Sequence, residues 1–174
     1  MSENLSSQYL TFVMDGDTFA VNIQHVREVV EYTDVTRIPR TPAFMRGVIN
    51  LRGGVLPIID LRLKFDLPAK ETDRETSIII TEINLEGEIV VIGTMVDAVK
   101  EVVEFSSEDL EPAPKIGLKL DADHIKAMAK QEDRFVIVLN VDSIFSVKEI
   151  SFARTVGEEG GDRGAVSATE ETAE

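Results

Sequence analysis

Apolar residues in this chain alternate with polar ones over short stretches, and each stretch is cut off by Gly, Pro or Asp. "QYLTFVM" (8–14) sends Leu10, Phe12 and Met14 to one side and Tyr9, Thr11 and Val13 to the other, the period of a strand. "DGD" (15–17) is a hairpin turn and "TFAVNI" (18–23) the returning strand. "MRGVINLRG" and "VLPIIDLRLKF" read as two strands joined near Gly53 and Gly54. Pro57 has no N–H to give a ladder, so the second should lie at a sheet edge or bulge there. "SIIITEI", "EIVVIGTMV" and "AVKEVVEF" are three more, the first two joined at Glu86 and Gly87. In "HIKAMAK", Ile125, Ala127 and Ala129 alternate with Lys126, Met128 and Lys130, which favours a strand, and "DRFVIVLNV" is a buried one. About ten short strands with frequent turns point to a mostly-β chain built as two small barrels or a sandwich.

A few stretches break that rhythm. From Asn22, a plausible helix cap, Ile23, Val26, Val29 and Val30 follow helical spacing with Gln24, Arg27, Glu28 and Glu31 opposite, so a short amphipathic helix is expected. "TDVTRIPRTPAFM" (33–45) holds a short strand and two prolines that confine it to edge or connector positions. "SSEDLEPAPKIG" is expected to be loop with at most one helical turn, and "DSIFSV" to start a short terminal helix. The polar, charged "DLPAKETDRET" (66–76) is the best internal boundary, dividing a first barrel at about 8–66 from a second at about 76–150. From 156 the acid-rich "VGEEGGDRGAVSATEETAE" has too little apolar surface to offset the entropy of ordering, so 156–174 is expected to be a disordered tail.

The totals narrow the function. With 43% hydrophobic residues, 174 residues can bury a core unaided, and the absence of Cys removes thiol catalysis, zinc–thiolate sites and disulfides together. "MSENLSSQYL" has neither the basic nor the apolar region of a secretory signal, and no apolar run approaches the ~20 residues of a spanning helix. A soluble, cytoplasmic protein without direct membrane insertion is the expectation.

Chemistry is hard to find. His25 and His124 lie in no metal-binding motif and read as ordinary surface residues, and no GxSxG, P-loop or GxGxxG pattern is present. Asp60 and Asp97 sit within or at the end of apolar strands, where burial can raise a carboxyl pKa; the simpler reading is a side chain satisfied by turn backbone or an arginine. A net charge of −14 argues against nucleic acid, and the aromatic platforms of a single-strand binder are missing. Yet between residues 35 and 65, Arg37, Arg40, Arg46, Arg52, Arg62 and Lys64 stand against a single acid, Asp60. Either these cations decorate strand ends and pair with acids elsewhere, or they form a local basic face on an acidic body, suited to one acidic partner.

"TPAFMRGVINLRGGVLPIIDLRLKF" (41–65) closely resembles the signature of the CheW-like chemotaxis coupling proteins. So do the opening strand pair with "VNIQHVREVV", the "MVDAV" turn (95–99) and "LEPAP" (110–114), collinear over about 8–147; Ala98 stands where members often carry Gly. The resemblance implies two SH3-like β-barrels packed on a shared hydrophobic core, and a non-catalytic adaptor with no cofactor. It implies coupling of methyl-accepting chemoreceptors to the CheA histidine kinase, through the kinase's regulatory domain and the receptor's cytoplasmic tip, at membrane receptor arrays. Flagellar chemotaxis and a related sensory pathway remain alternatives. Carried onto this sequence, the family's partner-binding positions are Val26, Glu28, Gly47, Arg52, Ile78, Gly93 and Val102. Valines and isoleucines on a barrel face would be apolar anchors, and Gly47 would permit a backbone approach barred to a side chain. The rigid fork of Arg52 suits a carboxylate, and Glu28 is its expected partner, the pair fixing the shape and charge of a docking face.

Overall fold

A computed structural model describes residues 6–85, 87–112 and 122–144. The strands are β1 (Ser6–Met14), β2 (Asp17–Asn22), β3 (Val26–Glu31), β4 (Met45–Leu51), β5 (Gly54–Asp60), β6 (Ser77–Leu85), β7 (Glu88–Val96), β8 (Ala98–Ser106), β9 (Leu110–Glu111), β10 (Ile125–Gln131) and β11 (Arg134–Leu139). One-turn helices α1 (Leu61–Lys64) and α2 (Val141–Ile144) follow β5 and β11. The acidic segment 156–174 lies outside the described residues.

The strands form a six-stranded sheet, β8-β1-β2-β11-β10-β9, and a five-stranded sheet, β3-β6-β7-β5-β4. Neighbours run antiparallel except β2 with β11 and β5 with β7. The sheets are not made of consecutive halves of the chain. The first hairpin joins strands from residue 98 onward, and segment 66–76 connects α1 to β6 within the five-stranded sheet. That segment is tied down: Asp73 Oδ1 accepts from the backbone N–H of Glu75 at 2.8 Å and of Thr76 at 3.2 Å.

Alternation in the sequence becomes two buried faces in the fold. Leu10, Phe12 and Met14 of β1 join Ile79 and Ile83 of β6, Ile92 of β7 and Leu139 of β11 in a core shared by both sheets. Tyr9, on the other face of β1, packs with Ala20, Phe105, Val136 and Val138 inside the six-stranded sheet. Ile78 and Ile80, on the other face of β6, pack with Ile49, Leu56, Ile58 and Met95 inside the five-stranded one. Each sheet wraps its own small core and leans on a common one, the expected two-barrel arrangement.

The amphipathic helix expected from Asn22 is not formed. Asn22 does cap, its Oδ1 accepting from the N–H of Gln24 at 2.8 Å, but the turn it starts is a single 3-10 turn, Ile23–His25. The chain then enters β3, whose residues pair with β6 from Val26↔Thr81 to Glu31↔Ser77. The spacing of Val26 and Val30 satisfies both periods. The β-branched valines and a waiting edge of β6 decide for the strand.

Pro57 is not on an edge strand, since β5 lies between β4 and β7. It is tolerated because pairing with β7 begins only at Ile58, and its neighbour Val48 on β4 gives both its N–H and its carbonyl to Thr36. The strand expected within 33–45 reduces to one bridge, Thr36 with Val48, with both backbone hydrogen bonds at 2.9 Å.

A candidate docking surface

The β4–β5 turn places Arg52 and Gly53 in left-handed conformations, with φ of 52° and 85°. This turn projects the Arg52 guanidinium toward β3, at the opposite edge of the same sheet. There Nη1 donates to Glu28 Oε2 at 2.5 Å and Nη2 to Oε1 at 2.6 Å, a bidentate pair. Together with the Thr36–Val48 bridge, it closes the five-stranded sheet into a barrel. The hydrogen bonds from Arg52 hold the Glu28 carboxyl below the usual carboxylate range, and Glu28 in turn raises Arg52. Arg52 keeps 68% of its side-chain surface in solvent. Beside it, Arg27 pairs with Glu82 at 2.7 Å, Val29 is exposed, and Val26 packs partly against the shared core. The expected Glu28–Arg52 pair is thus formed, on a strand rather than a helix.

Gly47, Ile78 and Gly93 lie inside the five-stranded barrel. Gly47 has φ of 140°, and a Cβ there would stand 2.0 Å from the Thr36 carbonyl oxygen. Gly93 faces Ile58 and Ile78, whose Cδ1 and Cγ2 would be 2.5 and 2.8 Å from an added Cβ. Ile78 itself is fully buried. These three are buried in the barrel wall, where the structure gives them packing roles. Gly93→Ala is expected to cost about 1–3 kcal/mol through overpacking, with Gly93→Ala/Ile58→Val, which removes the nearer Cδ1, regaining part of the loss in urea melts. A neutral single variant would refute this packing account.

Val102 stands apart, on β8 at the edge of the six-stranded sheet, with 49% of its surface exposed.

A second charged cluster brings together residues that the sequence offers separately. Asp60 Oδ1 caps α1, accepting from the N–H of Arg62 at 3.0 Å. This turns Arg62 inward, where its guanidinium is almost wholly buried. Its Nη1 donates to Asp97 Oδ2 at 2.6 Å, its Nε to the Pro68 carbonyl at 2.8 Å, and its Nη2 to Asp15 Oδ1 at 3.3 Å. The Asp15 N–H donates to Asp97 as well, at 2.9 Å. The cluster pins the first hairpin turn to the five-stranded sheet. Its members lie 35 and 47 residues apart, so no local spacing announces them.

Asp60 and Asp97 border one cavity of about 10 Å³, space for roughly one water. Burial raises the Asp60 carboxyl, and its Oδ2 has no hydrogen-bond partner. Asp97, by contrast, is engaged by Arg62 and backbone, the simpler of the two sequence readings. Both histidines are half-buried: His25 Nδ1 lies 3.2 Å from the Glu82 carbonyl, and the His124 ring stacks on Phe65. Among the described residues no His, Cys, Asp or Glu cluster could hold a metal ion, and no helix is long and apolar enough to cross a membrane.

A family model for the CheW-like domain matches residues 8–149, all of both sheets except the first two residues of β1. The chain belongs to the CheW-like family. It is 30% identical to the chemotaxis protein CheW of Klebsiella aerogenes over 154 residues, covering 88% of this chain and 90% of that protein. It is 34% identical to a probable chemotaxis protein CheW of Rhizobium etli over 143 residues, covering 82% and 89%. Among solved structures it is similar to the scaffolding protein TtCheW of Thermoanaerobacter tengcongensis, with a TM-score of 0.73 at 32% identity, over 82% of this chain and 94% of that one. The CheW-like match thus rests on sequence and on three-dimensional likeness, each over most of the chain.

Proposed function

We propose that this CheW-like chain is a non-catalytic chemotaxis adaptor that couples chemoreceptors to the CheA histidine kinase. The observation that carries the reading is the family match across 8–149, which reaches every strand of both barrels. In this reading the protein meets the regulatory domain of the kinase and the cytoplasmic tip of methyl-accepting receptors, and works in the cytoplasm at membrane receptor arrays. Val26, Glu28 and Arg52 supply a docking face, and Val102 contributes from the other barrel. Gly47, Ile78 and Gly93 act indirectly, by keeping β4, β6 and β7 in the shape that face requires.

An adaptor needs surfaces that hold their form before the partner arrives, because ordering a loop or side chain during association costs affinity. Closure of the barrel by Glu28 and Arg52 meets that need: the guanidinium sits in one geometry while most of its surface stays available. Arg52→Glu puts two carboxylates where a bidentate pair stood. It is expected to abolish assembly with kinase and receptor while moving the melting temperature by only a few degrees, as suits an exposed pair. Co-sedimentation of kinase with receptor-bearing membranes, run beside a thermal melt, reads both effects. Normal coupling by a folded Arg52→Glu variant would remove this face from the mechanism.

A further inference from the structure

The segment 35–65 carries six cations against one acid on a chain of net charge −14, and the fold consumes only some of them. Arg52 is spent on Glu28 and Arg62 on Asp97, while the Lys64 ammonium lies 5.3 Å from the centre of the Phe44 ring. Arg46 is drawn toward buried Asp60, but at 3.8 Å that contact is beyond hydrogen-bond reach, so the guanidinium is attracted without being saturated. Among the described residues Arg37 and Arg40 have no ion pair.

Arg37 and Arg46 line the same cleft, of about 310 Å³, with Tyr32, Val35, Met45 and Leu63 among its other walls. We propose that this cleft is a second docking site, separate from the Glu28–Arg52 face, which takes a carboxylate-bearing segment of a protein partner. The proposal rests on the adaptor reading and adds to it a second point of contact. Two guanidinium forks offer matched donors to a carboxylate. The half-buried side chains of Tyr32, Val35 and Leu63 give this mainly polar cleft a smaller apolar wall for the methylene stem of a glutamate. A bare inorganic anion would leave that wall unused.

The unpartnered Asp60 oxygen fits this arrangement. It holds Arg46 at the cleft by charge alone, without occupying its donors.

The test uses the full chain. Affinities for a CheA-type kinase and for a receptor cytoplasmic fragment are measured separately at low and high salt, for wild type and Arg37→Glu. Arg37 is exposed and has no ion pair among the described residues, so the variant should melt like wild type. The expected result is that one of the two affinities falls at least about tenfold at low salt and loses much of its salt dependence, while the other changes less than about twofold. Both affinities unchanged, in a wild type that binds both partners, overturns this proposal alone. A wild type that binds neither partner overturns the adaptor reading and this proposal with it. Inorganic phosphate and acetate, titrated against the arginine side-chain signals, form the last arm. Saturable binding there, with partner affinities indifferent to Arg37→Glu, makes the cleft a small-anion site and also overturns the proposal.

Discussion

Gly47→Ala is expected to lose at least about 3 kcal/mol of stability, enough to leave little native protein if the domain sits at the lower end of the usual range. Two penalties coincide. The backbone at φ of 140° is one an L-residue rarely adopts, and the new methyl would lie 2.0 Å from the Thr36 carbonyl oxygen. That oxygen accepts from the Val48 N–H at 2.9 Å, so retreat from the methyl sacrifices the bridge that helps close the barrel. A flexible side chain could swing aside, but a hydrogen-bonded carbonyl has nowhere to go. Urea denaturation followed by circular dichroism provides the measurement, and a change within about 1 kcal/mol would show that segment 33–45 can move freely from β4. Impaired coupling in this variant is then a consequence of lost shape, with no need for Gly47 to touch a partner.

Asp97→Ala should be the other severe change, at about 3 kcal/mol. The Arg62 guanidinium would remain buried with its shortest partner gone, keeping only the Pro68 carbonyl at 2.8 Å and Asp15 at 3.3 Å. Asp15 would also lose the acceptor for its own N–H, freeing the first hairpin turn. The double variant Asp97→Ala/Arg62→Met distinguishes a stranded charge from a lost contact. It should be more stable than Asp97→Ala alone, because an apolar side chain does not need the missing carboxylate. Equal or lower stability of the double variant would mean that the cluster matters for the hydrogen bonds it makes, rather than for neutralising Arg62.

Strands were readable where both faces of the sequence had distinct work. In 8–14 the alternation separated the shared core from the inner core of one barrel, and in 124–130 it marked a strand despite a composition that also suits a helix. Residues 22–31 misled because Val26 and Val30 obey two periods at once, and the deciding edge of β6 lies some fifty residues away. The same limit hid the barrel order: β2 finds β11 only after the rest of the chain has been placed. For the candidate site, Glu28 and Arg52 were legible through the resemblance to the CheW-like family, and their opposite charges then suggested a pair across 24 residues. Ile78 was not legible as an interior residue, since in the run Ile78, Ile79, Ile80 either face could be the outward one. Arg62 looked like part of a basic surface, and only the Asp60 cap, which swings it inward, reveals it as a buried tie.

The parallel pairing of β2 with β11 sets the order of events during synthesis. The opening hairpin leaves the ribosome early, but its second neighbour emerges more than a hundred residues later, on the order of ten seconds at ordinary translation rates. During that wait β2 has one partner and one bare edge, whereas β3 to β7 can already assemble the other barrel around Ile78 and Ile80. The nascent chain therefore completes its middle before its beginning, and its earliest strands are those most in need of shelter from neighbouring polypeptides.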